Sequence, residues 1–181
     1  LKFFLDINYL SQNINLNFYV LPNIILYMKI DRTDKKILEI LQKNAKITNA
    51  KLSKQIGLSP APTLERVRKL ESRGIISGYH AKLNMSKVGL GVSTFVMVSL
   101  KGHNKKNLQS FLDKIKDVEN IVECHHITGS GDFILRIVAE DIESYQELML
   151  DKVSEIEVTD SLQSMVILST FKDNKVIPVQ S

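Results

Sequence analysis

Two prolines, Pro60 and Pro62, stand one residue apart just after the run Ile56-Gly57-Leu58-Ser59. Few backbones accept that arrangement. Proline lacks an N–H and fixes φ, so this spacing suits the first turn of a helix, where N–H groups have no intrahelical partner anyway. Gly57 suits the left-handed end of a preceding helix. Ser59 then becomes the N-cap of the new helix, with its hydroxyl placed to accept the Ala61 N–H. The segment dictates helix, tight turn, helix.

The flanking residues extend that pattern. Asp31 reads as an N-cap with Asp34 in the first turn, and Ile37, Leu38 and Leu41 form one apolar stripe. Asn44–Lys46 interrupt it, and Thr48 caps a second helix with Ala50, Leu52 and Ile56 on one side. In the third helix Leu64, Val67 and Leu70 are assigned the buried stripe, with Gly74 as the stop. Thr63, Arg66 and Lys69 are assigned the outer face, flanked by Arg68 and Arg73. Three short helices with a basic last member predict a helix-turn-helix.

An α-helix fits the B-DNA major groove, and Arg66 is the candidate for a bidentate guanine contact. Lys51, Lys54, Arg68, Lys69 and Arg73 are candidates for phosphate contacts, which position without specifying. Ser59, Pro62 and Thr63 complete the DNA-facing set at the helix start. The bland alternative is a solvated basic face on a three-helix bundle.

Charge supports the DNA reading. The net +4 averages two unlike halves: residues 28–80 hold 12 Lys/Arg against 5 Asp/Glu, and residues 81–181 hold 11 against 14. A basic head on an acidic body suits a polyanion-binding module joined to a separate one. The expected division is a head at 28–74, a linker with a short β segment at 75–90, and a body at 91–181. Within the linker, Ile75–Ala81 is the β-prone stretch, and His80 is a linker side chain rather than a metal ligand.

The body has its own rhythm. Val92 to Leu100 alternates at the strand period with apolar groups on both faces. Leu108, Phe111, Leu112 and Ile115 then give a helix stripe, and Ile121–Ile127 and Phe133–Ala139 read as strands joined by Thr128-Gly129-Ser130-Gly131-Asp132. A second helix carries Ile142, Tyr145, Leu148 and Met149, and Met165–Phe171 is the last strand, with a start as early as Val158 allowed. The order β-α-β-β-α-β is the ferredoxin-like unit, and the fold class is α+β. Its open sheet face predicts sheet-to-sheet dimerisation, which matches a helix-turn-helix reading two half-sites.

Several classes drop out. One cysteine, Cys124, forms no intramolecular disulfide and is expected to be a small buried residue. No run of about 18 apolar residues exists to cross a membrane as a helix. Gly129-Ser130-Gly131 lacks a third glycine and is followed by a strand rather than a helix, against a dinucleotide site. Adjacent His125 and His126 face opposite sides of a strand and form no metal cluster with Cys124. No nucleophile elbow appears, so no enzyme activity, cofactor or metal is expected. Residues 1–27, built largely from Leu, Ile, Phe, Tyr and Asn, read as a non-native or atypical extension. A packing arm is the alternative, and a targeting segment is disfavoured because Asn interrupts every apolar run.

From Ile30-Asp31-Arg32-Thr33-Asp34 through Leu41-Gln42, the chain resembles the Lrp/AsnC family of feast/famine transcription regulators. The resemblance continues in Leu52–Ser59, Leu64–Glu71, Gly74–Tyr79, Val122–His125, Ile127–Gly129 and Asp132. It covers residues 29 to 178 and implies a DNA-binding head and a body of the RAM type. It further implies homodimers that associate further, often to octamers, an amino-acid effector, and a cytoplasmic, nucleoid-associated protein. Carried onto this chain, the effector residues are Thr128, Gly129, Ser130, Gly131 and Asp132. Glycines let backbone N–H groups approach a carboxylate, and an ionised Asp132 can hold an α-ammonium. An ordinary hairpin turn is the alternative for these residues. Leu162 stands where the family often has threonine, and Gly131 replaces a commonly larger residue. A mainly architectural DNA-wrapping protein with little effector response is the competing function.

Overall fold

Asp31 caps the first helix, α1 (Arg32–Lys43), by accepting the Asp34 N–H at 2.7 Å. The computed structural model describes residues 30–102 and 104–180, so the 1–27 extension lies outside the described residues. Thr48 caps α2 (Asn49–Ile56) through the Lys51 N–H, and Gly57 ends it at φ 76°, a conformation glycine adopts without Cβ strain. Helix α3 (Pro60–Ser72) begins at the two prolines as expected. Ile37, Leu38, Leu41, Leu52 and Leu70 form the buried centre of this three-helix head.

One capping detail differs. The Ser59 side chain makes no cap hydrogen bond; instead its carbonyl accepts both the N–H and the hydroxyl of Thr63, the latter at 2.9 Å. After α3 the chain forms no strand at 75–81, contrary to expectation. The N–H groups of Ile75 and Ile76 both donate to the Leu70 carbonyl, and their side chains pack on the head core. A β-prone run needs a neighbouring strand to pair with, and none is described beside it. The head therefore extends through Tyr79, whose hydroxyl donates to Glu71 at 2.9 Å.

The body, His80–Asn174, opens with a 3-10 turn at Met85–Val88. It continues as β1 (Val92–Leu100), α4 (Lys105–Ile115), β2 (Ile121–His126), β3 (Phe133–Ala139), α5 (Ile142–Leu148, extended by a π turn at Met149–Val153) and β4 (Thr159–Val166). The sheet order is β2-β3-β1-β4, antiparallel throughout, which is the ferredoxin-like arrangement. Thr94, Val96, Val98 and Leu100 point from β1 toward the helices. There they meet Leu135 and Ile137 of β3 and Phe111, Ile115, Tyr145 and Val153 of the helical layer.

Three placements depart from expectation. Strand β4 starts at Thr159, beside the earliest start allowed, but ends at Val166 rather than at Phe171. Its register with β1 starts at Leu100↔Thr159, shifts near Ser99, and ends at Thr94↔Val166; beyond it Leu168 and Phe171 are almost wholly exposed. Cys124 is exposed, because β2 is an outer strand flanked on one side only. The expected 91–181 body also loses its last residues, since those from Lys175 onward group with the head.

Candidate DNA interface and effector loop

Leu70 is the buried anchor of α3, and helical geometry of about 100° per residue fixes what shares its face. Seven residues earlier stands Thr63, only about 20° away; six residues earlier stands Leu64, about 120° away. The structure agrees: Thr63 is fully buried and Leu64 is 39% exposed. Thr63 therefore belongs to the core, and its assignment to the DNA face is corrected. A line of exposed residues runs instead along Ala61, Glu65, Arg68 and Ser72. Ala61, Glu65 and Ser72 lie outside the outer face expected from the sequence, although the same arithmetic from Leu70 points to their exposure.

Arg66 also changes role. Its Nη1 lies 2.6 Å from Asp31 Oδ2 and 2.7 Å from Asp34 Oδ1. The guanidinium thus braces α3 against the start of α1, so the residue expected to read guanine is engaged within the head. The charge it would bring to DNA is already matched by two carboxylates. Lys51, Lys54, Ser59, Arg68, Lys69 and Arg73 are exposed, while Pro62 is half-buried. Asn49 Nδ2 donates to the Pro60 carbonyl at 2.8 Å, tying the start of α2 to the start of α3.

The brace has a pH signature. The Asp34 N–H, and after it Arg66, hold the Asp31 carboxyl below its usual value of 3.8. A carboxyl lowered in the folded head stabilises it above that value, and the contribution disappears as pH falls through the native value. Asn caps a helix about as well as Asp, so Asp31→Asn removes charge and keeps the cap. Thermal melts from pH 6 to pH 2 are expected to show a smaller acid-induced drop for Asp31→Asn than for the wild type. Parallel curves would remove Asp31 from that drop.

In the body, residues 127–132 close the hairpin between β2 and β3. The Ile127 N–H donates to the Asp132 carbonyl at 2.9 Å, and the Asp132 N–H to Val98 at 2.8 Å. Asp132 Oδ2 accepts the Leu100 N–H at 2.8 Å, beside the register shift of β1. Asp132 is thus part of the loop's frame, with one carboxylate oxygen engaged by the Leu100 backbone. Gly131 is required by close approach: a Cβ there would sit 2.5 Å from Met97 Cγ. Met97 fills the space that a larger residue at 131 would take, so the glycine does not widen a pocket. Thr128, Gly129 and Ser130 are exposed, with Gly129 at φ 130°.

The second face of the sheet holds Phe95, Met97, Ile134 and Arg136, paired across β1 and β3 as Phe95↔Arg136 and Met97↔Ile134. Arg136 bonds Glu123 at 2.9 Å and Ser93 at 3.4 Å. His125 and His126 do diverge: His125 lies 3.6 Å from Glu123, and His126 packs on Phe133 at 5.0 Å between ring centroids. Among the described residues, no group of three His, Cys, Asp or Glu side chains converges as a metal site. None of the described helices is long and apolar enough to cross a membrane.

Residues 30–77 match the winged helix-turn-helix DNA-binding family, and residues 93–177 match the Lrp/AsnC ligand binding domain. Such a head on such a body defines a DNA-binding transcription regulator with a ligand-binding domain. The chain belongs to the Lrp/AsnC family. It is 35% identical over 150 residues to the transcriptional regulator AzlB of Bacillus subtilis, covering 83% of this chain and 96% of that protein. It is 36% identical over 149 residues to the leucine-responsive regulatory protein of Rhizobium meliloti, covering 82% and 96%. A Neisseria meningitidis transcriptional regulator solved as an L-Met complex superposes with a TM-score of 0.79 at 31% identity, covering 83% of this chain and 97% of that one.

Proposed function

We propose that the chain is a sequence-specific DNA-binding transcription regulator that reads its operator with the line Ala61, Glu65, Arg68 and Ser72 of α3. The observation that carries this is the exposure of that line, on a helix whose start is fixed by the Asn49–Pro60 and Thr63–Ser59 hydrogen bonds. Arg68 suits a guanine edge, Glu65 suits the cytosine amino group, and the Ala61 methyl suits the thymine methyl. Lys51, Lys54, Lys69 and Arg73 take phosphates. The protein acts at the nucleoid as a homodimer or a larger assembly up to an octamer, with Phe95, Met97 and Ile134 in the sheet-to-sheet contact. Site selection from random DNA tests the DNA reading. A palindromic consensus is expected; recovery of unrelated sequences with a steep salt dependence would favour DNA wrapping instead.

An amino acid is the proposed effector, seated at Thr128, Gly129 and Ser130 with Gly131 and Asp132 as their frame. The L-Met complex of the Neisseria meningitidis relative supports that ligand class. A thermal-shift series over the common amino acids, L-Met included, is expected to show a rise for at least one. Asp132→Ala leaves the Leu100 N–H unpaired and is expected to cost about 1–3 kcal/mol even without ligand. Asp132→Asn keeps an acceptor oxygen and is expected to retain both stability and response. A folded Asp132→Asn that loses the response would return the ammonium to that carboxylate; no rise for any amino acid in the wild type would remove this effector class.

A further inference from the structure

Gln42 sits half-buried in the last turn of α1, and its amide faces the backbone of a residue 135 positions away. Its Nε2 donates to the Ile177 carbonyl at 3.1 Å, and its Oε1 accepts the Ile177 N–H at 2.8 Å. One side chain thus satisfies both backbone groups of one residue, as a neighbouring strand would. Two residues further on, Val179 packs against the head core of Ile37, Leu38, Leu41, Leu52 and Leu70. The segment from Lys175 onward groups with the head, although the chain reaches it from the body.

The base of this segment is fixed as well. Lys82 Nζ lies 2.6 Å from Asp173 Oδ2 and donates to the Asp173 carbonyl at 3.3 Å. Lys82 follows the chain's entry into the body by three residues, and Asp173 precedes its exit by two. The first and last few residues of the body are therefore tied to each other. The chain thus passes between the two units twice, after Tyr79 and before Lys175, and the second passage ends in the segment bonded to Gln42.

We propose that the C-terminal segment is a clasp on the head and that Gln42 is a positioning residue for DNA binding. This rests on the reading of the protein as a two-headed DNA binder. A head on a single connection must lose orientational freedom when it docks, and restraint beforehand removes that cost. Two heads must also match half-sites at one separation, so restrained heads reject altered spacings more strongly than loose ones do. Gln42 lies on α1, outside the line of α3 proposed to read DNA, and acts through α1, which a five-residue turn joins to α2.

The test uses the full chain and duplexes carrying the selected site, with the half-sites kept at their spacing or moved apart by about 5 base pairs, half a helical turn. The variants are Gln42→Leu, Ile177→Pro, deletion of 175–181, and Gln42→Leu combined with the deletion. Proline at 177 removes the N–H donor without altering α1, so it remains informative should Gln42→Leu disturb that helix. Each variant is expected to keep the wild-type assembly mass and to bind the parental site about threefold to tenfold more weakly. Each is also expected to show a smaller penalty for the altered spacing, and the combined variant is expected to match the deletion alone. Wild-type affinity and spacing penalty in all variants would overturn the clasp. Additive losses in the combination, or a loss that tracks dissociation of the assembly, would overturn it too. A wild type indifferent to spacing would remove the two-headed reading, and the clasp with it.

Discussion

Arg68→Ala is expected to weaken binding to the selected DNA site by about tenfold to hundredfold, or about 1–3 kcal/mol, and to relax the preference at one base step. Arg68 is exposed at the middle of the line Ala61, Glu65, Arg68, Ser72 and is its one basic residue. A guanidinium there can make two hydrogen bonds to a guanine edge. Arg68→Lys keeps the charge and is expected to recover phosphate-type affinity without the base preference. Arg66→Ala is expected to behave differently. Its partners are Asp31 and Asp34, so the change frees two carboxylates at the start of α1 and lowers head stability by at most about 1 kcal/mol, as exposed ion pairs do. Binding measured with saturation curves on selected and scrambled duplexes separates the two. Equal, sequence-dependent losses for both arginines, or a larger specificity loss at Arg66, would return the reading role to Arg66.

What the sequence disclosed divides along a physical line. Local signals were legible: Asp31 and Thr48 as caps, Gly57 as a left-handed stop, and prolines in a first turn all act within a few residues. The βαββαβ order followed from changes of period along the chain. Relations across long separations were not legible. Arg66 meets Asp31 35 positions away, and Gln42 meets Ile177 135 positions away. No pattern in the sequence marks either partner. The end of β4 failed for a related reason: Ile167 to Phe171 is apolar enough for a strand, but the register with β1 runs out at Val166. The face of α3 was legible and was misread, because a stripe taken every third residue drifts around a helix of 3.6 residues per turn.

Phe133→Ala is expected to destabilise the body by about 3–5 kcal/mol, a large share of the roughly 5–15 kcal/mol that holds a domain of this kind together. Phe133 is 2% exposed, and its ring centroid lies 4.9 Å from that of Phe111 on α4. It opens β3 directly after Asp132, so the same side chain packs helix to sheet beside the loop at 127–132. Phe95→Ala provides the contrast on the opposite face of the sheet, where the side chain is half-buried. That change is expected to leave the chemical denaturation of a dilute protomer nearly unchanged and to lower the mass of the assembly. Denaturation curves and light scattering on both variants distinguish a core residue from an interface residue. A loss below about 1 kcal/mol for Phe133→Ala would mean that the gap at its site collapses, and that the loop at 127–132 is held by the Asp132 hydrogen bonds without the ring.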